Sequence, residues 1–177
     1  MFKRAMLLLL SLSLLSGCGF HLKGAGTQTA LNLTQLSVQF APNVLPQLRQ
    51  ELVEQLRQNG VSIVEVSALA QEFAEPTLVI ENSQMQVRRT ATSYLGDTTA
   101  ESMQWRQLYR MQGAQSTLFS AEAAVVRDRQ LQPEAMLAAE QEREGIVQNM
   151  AVQVAQQIMR RLAIYAEQKT AKDSVQP

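Results

Sequence analysis

Alternating apolar and polar positions mark the most regular stretch of the chain, residues 101–112. Its apolar set is Met103, Trp105, Tyr109 and Met111, and its polar set is Gln104, Arg106, Arg110 and Gln112. Because side chains of an extended chain point alternately to two sides, this pattern is typical of a half-buried antiparallel strand. Similar patterns predict further extended segments at 33–40, 61–66, 77–90 and 117–126. In 77–90 the alternation changes phase, which predicts a bulge near residues 82–84.

Two other stretches have the spacing of amphipathic helices, with apolar residues three and four positions apart. The first stripe consists of Leu45, Leu48, Leu52 and Leu56. It predicts a helix that Asn43 caps and that ends near Gln58, before Asn59-Gly60. The second stripe consists of Val147, Met150, Val154, Ile158, Leu162 and Tyr165, in a helix that opens at Pro133. Residues 168–177 have no apolar periodicity, which predicts a disordered tail.

Together these elements predict one domain over residues 34–167. Two apolar helix stripes and one apolar sheet face can cover one another, which favours a two-layer α/β sandwich. The expected sheet is mixed, mostly antiparallel and of about four strands, with both helices on one face. We expect Trp105 and Tyr109 to pack in the core between the layers, because they belong to the apolar face of their strand.

The beginning of the chain has the organisation of a secretory signal peptide. Lys3 and Arg4 give a basic start, an uncharged and mostly leucine run follows over 5–15, and small residues come next. This arrangement predicts an export signal over residues 1–17. The apolar run is shorter than the roughly 20 residues that a membrane-spanning helix needs.

The residues around the expected cleavage site predict a lipid anchor. Leu15-Ser16-Gly17-Cys18 resembles the bacterial lipobox, in which the cysteine receives an S-diacylglycerol group and, after cleavage, an N-acyl group such as palmitate. Residues 18–33 would then form a lipidated tether. Gly19 follows the cysteine where lipoproteins kept at the inner membrane often have Asp, which favours the outer membrane. The alternative is a stray cysteine in an ordinary cleaved signal.

The charge of the chain argues against nucleic acid as a partner. The chain has 16 basic and 16 acidic residues, and residues 1–17 hold two of the basic ones and no acid. The mature chain therefore has 14 basic and 16 acidic residues and a formal charge of −2. Such a balance does not predict the broad basic surface that nucleic-acid binding requires.

Catalytic and metal sites are not predicted either. The one histidine, His21, lies in the expected tether beside Cys18, and no nucleophile is placed near a base. Glu140, Glu142 and Glu144 are interpreted as a charged, solvent-exposed helix face. We therefore expect a protein that is not an enzyme and that uses neither cofactor nor metal.

Several short motifs, in matching order, resemble the LptE family of lipopolysaccharide-assembly lipoproteins. The opening Gly17-Cys18-Gly19-Phe20-His21-Leu22-Lys23-Gly24 is similar to the GCGFHLRG-type start of that family, with Lys for Arg. Residues 56–61, 132–138 and 157–162 are also similar to family segments. The resemblance implies a mixed sheet with two helices on one face. It also implies a Gram-negative outer-membrane lipoprotein that plugs the lumen of the LptD β-barrel one to one, aids its assembly and binds lipopolysaccharide without catalysing a reaction.

Arginines near strand ends are the candidate contacts for lipopolysaccharide phosphates, because guanidinium groups bind phosphate through paired hydrogen bonds. The candidates are Arg88, Arg89, Arg127 and Arg129. Two positions where family members place basic residues are occupied by Leu95 and Ala139, so these arginines would have to substitute for them. The alternative is that each arginine is an ordinary solvated charge. Likewise, Gln104, Arg106, Arg110 and Gln112 suit a barrel lumen and open solvent equally.

Two other functions are compatible with the sequence. A stand-alone lipoprotein that binds a lipid or a glycan, as an accessory to transport, would have the same anchor and a similar domain. A periplasmic hydrolase is the third possibility, and no catalytic residues support it.

Overall fold

The computed structural model describes residues 33–173, except 71, 72, 74, 133 and 134. The described chain contains six strands and two helices. In order they are β1 (Gln35–Phe40), α1 (Pro46–Gln58), β2 (Ser62–Val66), β3 (Thr77–Ile80), β4 (Gln84–Thr92), β5 (Thr98–Gln112), β6 (Thr117–Gln130) and α2 (Met136–Asp173).

The strands form one mixed sheet in the order β2-β1-β3-β5-β6, with β4 pairing β5 along the edge that β3 also uses. β1 pairs β2 and β3 in parallel, whereas β3, β4 and β6 are antiparallel to β5. The predicted α/β class and mixed sheet are confirmed. The expected strand count of about four is too low, partly because the segment 77–90 forms two separate strands.

The break between β3 and β4 is the irregularity predicted near residues 82–84. Ile80 is the last β3 residue opposite β5, and Gln84 is the first of β4. The side chain of Gln107 bridges the break, because its Oε1 accepts a hydrogen bond from Ser83 Oγ (2.7 Å) and its Nε2 donates to the Glu81 carbonyl (2.6 Å). Gln107 is fully buried. Its amide thus supplies the hydrogen bonds that a regular ladder would have supplied.

Both helices pack on one face of the sheet, as predicted. Three leucines of α1 are fully buried, and the inward face of α2 is buried along four turns. These helix residues are Leu48, Leu52, Leu56, Met150, Val154, Ile158 and Leu162. Trp105 and Tyr109 lie in the core between the layers, as expected.

The helix ends differ from prediction. The N-cap of α1 is Leu45 rather than Asn43, and it has no side-chain cap. Its backbone N–H instead donates to Ser83 Oγ at 3.1 Å, so the strand break caps the region where the helix starts. α2 continues to Asp173, which corrects the expectation that structure ends at residue 167. Pro133, the predicted signal peptide 1–17, residues 18–32 of the predicted tether 18–33, and residues 174–177 lie outside the described residues.

Beyond the ends of β1 and β3, three strands continue as an extension of the sheet. We call this extension the arm: β4, residues 98–106 of β5 and residues 124–130 of β6. Its tip is the turn between β4 and β5. The first turns of α2 lie beside the β6 end of the arm, where the Ala139 carbonyl accepts a hydrogen bond from Arg129.

Candidate functional site

The four candidate arginines all lie in the arm, but they do not form one cluster. Arg88 and Arg89 belong to β4, Arg127 and Arg129 belong to β6, and β5 runs between them. Arg89 lies opposite Glu101, which in turn lies opposite Arg129, so these three residues share one row across the sheet. Because successive side chains alternate, Arg88 points to the other face of the sheet.

Arg129 is engaged within the fold. Its side chain is 8% exposed, and its Nε and Nη2 donate to Glu101 Oε2 at 3.1 and 3.0 Å. Its Nη1 donates to the carbonyl of Ala139 at 2.7 Å. The guanidinium therefore ties β6 to β5 and to the beginning of α2, and it is positioned to stabilise the arm.

Arg88 and Arg89 are exposed, and within the described residues neither side chain has a hydrogen bond or a salt bridge. Arg127 is intermediate in burial, and its Nη1 donates to the carbonyl of its neighbour Val126 at 2.9 Å. Two of the four candidates are thus available to an anion without rearrangement. Arg89 is the better placed, because the Glu101 carboxylate opposite it is already neutralised by Arg129.

A cleft of about 680 Å³ opens beside this row, between the turn end of the β4–β5 hairpin, the end of β6 and the beginning of α2. Small and apolar residues dominate its walls, with Glu142 as the charged member. The lining residues are Ala91, Thr99, Ala100, Gln130, Leu131, Gln132, Ala135, Ala138, Ala139 and Glu142. Ala139 is therefore part of the wall of this cleft.

The sheet face opposite the helices is open along β5 and β6, as the alternation predicted. Its charges are largely paired with one another: Arg106 donates to both carboxylate oxygens of Glu122 at 2.7 Å, and Arg110 pairs with Glu81. The hydrogen bonds from Arg106 hold the pKa of Glu122 below its usual value. Leu108 and Val126 are exposed between these pairs. This face is accordingly mixed, with apolar side chains among neutralised charges.

The tip of the arm exposes two apolar side chains on a well-ordered turn. Tyr94 is 96% exposed and Leu95 is 72% exposed. Ser93 orders the turn, because its Oγ accepts hydrogen bonds from the N–H groups of Leu95 and Asp97 at 3.2 and 3.1 Å. Gly96 follows with a φ of +90°, a conformation that glycine adopts without strain.

Cys18 and His21 lie outside the described residues, so the predicted lipidation stays a prediction. Within residues 33–173, apart from the gaps named above, no three His, Cys, Asp or Glu side chains converge as a metal site would need. In the same part of the chain, neither helix combines the length and apolar character that a bilayer crossing requires.

The acidic residues that engage Arg106 and Arg129 were not identified from the sequence. Glu101 lies directly opposite Arg129, whereas Glu122 lies opposite Leu108 and reaches diagonally to Arg106, two positions away on β5. This register of pairing could not be read from the sequence alone. Gln107 was missed because a polar residue at an inward position interrupts the apolar pattern. Its place in the alternation, between Trp105 and Tyr109, was the available signal.

The two-layer fold is shared with solved structures of bacterial lipoproteins. The crystal structure of rare lipoprotein B from Shewanella oneidensis matches with a TM-score of 0.63 at 20% identity, covering 77% of this chain and 98% of that one. The solution structure of an uncharacterized lipoprotein B from Nitrosomonas europaea matches with a TM-score of 0.57 at 21% identity, covering 76% and 88%. A minor lipoprotein from Acinetobacter baumannii matches with a TM-score of 0.57 at 14% identity, covering 75% and 92%.

The family is established by sequence. The model of the LptE family, described as lipopolysaccharide-assembly, matches residues 33–162, which is most of the chain. The chain therefore belongs to the LptE family, and its role is in lipopolysaccharide assembly. No curated protein matches the chain in a direct sequence search.

Proposed function

We propose that this protein partners an LptD-type outer-membrane β-barrel in placing lipopolysaccharide at the cell surface. In this proposal it occupies the barrel lumen one to one, aids barrel assembly and catalyses no reaction. Family membership is the observation that carries the proposal. The open sheet face supports it, since exposed Leu108 and Val126 between neutralised ion pairs give the mixed composition of a protein interface.

Affinity purification of the full-length chain from detergent-solubilised membranes tests the barrel partnership. The expected result is a large outer-membrane barrel recovered in equal amount with the tagged chain. Depletion of the chain should also leave the barrel immature. Recovery of free monomer together with normal barrel maturation after depletion would refute the partnership.

We propose that lipopolysaccharide phosphates contact the arm arginines Arg88, Arg89, Arg127 and Arg129. Arg89 should contribute most, because it is unpaired within the described residues and precedes Ala91, which lines the cleft. Arg129 should contribute least directly, because Glu101 and Ala139 already engage it. The alanine and leucine side chains of the cleft would then contact part of an acyl chain.

Binding of lipopolysaccharide to the full chain, with Arg89→Gln as the variant, tests this site. We expect affinity to fall by about fivefold to tenfold, the loss of one charge-assisted contact. Arg160→Gln is the matched control, because Arg160 is an exposed arginine of α2 with no hydrogen bond or salt bridge within the described residues. Equal losses in both variants would indicate a nonspecific charge effect.

The cleft also favours a second candidate function, that of a stand-alone lipid- or glycan-binding lipoprotein. A cavity of about 680 Å³ lies in the usual range for a small-ligand site. The purification above separates the two, because a stand-alone binder would retain ligand affinity and be recovered without a barrel.

We further propose that a lipid on Cys18 anchors the protein to the periplasmic side of the outer membrane. A cysteine with two or more acyl chains anchors a protein stably, whereas one chain does so marginally. Cys18→Ala should therefore remove the chain from the membrane fraction while leaving its thermal unfolding unchanged. Unaltered membrane fractionation would count against the anchor.

A further inference from the structure

The two long edges of the arm differ in how their backbone groups are hydrogen-bonded, and side chains cover the β6 edge. The Gln157 side chain of α2 pairs with both backbone groups of Ala124: its Oε1 accepts from the N–H at 3.2 Å and its Nε2 donates to the carbonyl at 3.0 Å. Arg127 satisfies the Val126 carbonyl at 2.9 Å. The Gln157 amide thus makes the two hydrogen bonds that a neighbouring strand would make with Ala124.

The β4 edge has no such cover. Within the described residues, no hydrogen bond reaches the backbone of Gln84–Thr92 other than the ladder to β5. Every residue of β4 except Met85 is exposed. The strand contains no proline and no acidic residue, so its one safeguard against pairing is the charge of Arg88 and Arg89.

Two hydrogen bonds that flank the β4–β5 ladder show which backbone groups of β4 are unpaired. Leu131 N–H donates to the Thr99 carbonyl, and Glu81 N–H donates to the Leu108 carbonyl. The backbone N–H and carbonyl groups of odd-numbered β5 residues therefore point towards β6, and those of even-numbered residues point towards β4. The even-numbered residues of β4 lie opposite even-numbered residues of β5 and bond to them. The N–H and carbonyl groups of Met85, Val87 and Arg89 therefore point outward, to the free edge.

The side chains along this edge define what an added strand must offer. Met85, Val87 and Arg89 lie on the helix-bearing face, where Val87 is a large apolar side chain left 43% exposed. Arg88 lies on the opposite face beside Ser102. An apolar residue would cover Val87. Acidic residues on both faces would pair with Arg88 and Arg89, whose side chains have no ion pair within the described residues, and would compete there with lipopolysaccharide phosphates, which are also anionic.

We infer that residues 84–89 of β4 form a strand-addition site for an extended, acidic segment of the barrel partner. The inference rests on the proposed function, and it specifies how the partner binds. The regular pairing length is six residues, because the register of β4 shifts between Arg89 and Ala91. Main-chain hydrogen bonds would supply affinity, and the acidic and apolar side chains would supply selectivity.

A second copy of this chain does not meet these requirements. Its β4 would bring two more arginines and no acid to the same short edge, and like charges oppose pairing. An acidic segment has the complementary charge.

Two substitutions of Val87 separate the contribution of its backbone N–H to partner binding from the contribution of its side chain. Val87→Pro removes an outward N–H and leaves the β5 ladder intact, because Val87 does not donate to β5. Val87→Ala removes the same side chain and keeps the N–H. We expect Val87→Pro to lower barrel recovery about fivefold to tenfold relative to Val87→Ala, with thermal unfolding of the free chain similar for both. Equal recovery of the two variants would overturn the inference.

Residue-resolved amide hydrogen exchange on the purified complex gives a second readout that does not depend on a substitution. The amides of Met85, Val87 and Arg89 should become protected on binding, while those of Gln84, Gln86 and Arg88 are already protected by β5. Photo-crosslinkers placed at positions 84, 86 and 88 should map to alternate residues of one acidic segment. Uniform protection, no protection, or crosslinks to another copy of the chain would each overturn the inference.

These results are distinguishable from failure of the proposed function. If the wild-type chain recovers no barrel, the partnership fails and the strand-addition site fails with it. If the wild type recovers the barrel and Val87→Pro recovers as much as Val87→Ala, the partnership stands and the site is wrong.

Discussion

The two ends of β5 lie in different surroundings. Residues 107–112 run beside β3 in the middle of the sheet, where the one inward polar side chain, Gln107, is fully buried and bonded within the protein. Residues 98–106 run through the arm beside β4, whose arginines are exposed. Both segments bury core side chains, since Met103 and Trp105 belong to the arm segment, but the arm segment alone runs beside the exposed arginines of β4. Residue type alone does not tell these two surroundings apart.

The largest contrast should appear between apolar truncations in two regions, the core under the sheet and the exposed β4 edge of the arm. Leu52→Ala removes a fully buried side chain of α1 and should cost about 2–5 kcal/mol of the free energy of unfolding. Val87→Ala in β4 should cost less than about 0.5 kcal/mol, because its side chain is already part-exposed. Urea denaturation of both variants measures the difference, and similar losses would abolish the distinction between the two regions.

Arg129→Met tests the one strongly engaged charge of the arm. It leaves the mostly buried Glu101 carboxylate without its partner and frees the Ala139 carbonyl, so we expect a loss of about 1.5–3 kcal/mol. The double variant with Glu101→Gln should recover part of that loss. A loss near zero would mean that Arg129 is available for ligands after all.

Gln107→Met tests the buried bridge at the strand break. Methionine fills a similar volume but can neither donate to the Glu81 carbonyl nor accept from Ser83, so we expect a loss of about 1–3 kcal/mol. Gln104→Met, on the other face of the same strand, is the control and should be nearly neutral. Equal effects would show that the bridge does not stabilise the break.

Acidification should produce the smallest effect, through the ion pair on the open face. Because Arg106 lowers the pKa of Glu122, the stabilisation is present above the usual carboxyl value of 4.5 and is lost as pH falls through the lowered pKa. The difference in melting temperature between wild type and Glu122→Gln should therefore shrink from pH 7 to pH 3. A difference independent of pH would contradict this assignment.

Most of the fold could be predicted because it depends on local patterns. The leucine stripe of α1 and the alternation of 101–112 set which faces are buried, and the phase change marked the break at 81–83. The predicted cap of α1 was wrong because the N-cap residue, Leu45, is held through its backbone N–H by Ser83, a residue distant in sequence. The helix beyond residue 167 was missed because the predicted domain boundary relied on apolar spacing, and exposed helical turns carry little of it.

The candidate site could be predicted in composition but not in arrangement. The sequence indicated four arginines near strand ends, and all four lie in the arm. Strand register places both Arg89 and Arg129 opposite Glu101. The carboxylate pairs with Arg129, which the Ala139 carbonyl of α2 also holds, and Arg89 has no ion pair within the described residues. Register is fixed by long-range pairing, so the sequence could not separate the engaged arginine from the available ones.

Trp105 makes the covered side of the sheet visible to spectroscopy. It is the one tryptophan of the chain, it is fully buried, and its Nε1 has no hydrogen-bond partner within the described residues. Its fluorescence should therefore be emitted at short wavelength in the native protein and shift to the red on unfolding. Since the indole lies on the side away from the open face, this signal should follow denaturation and stay nearly constant when a partner docks on that face.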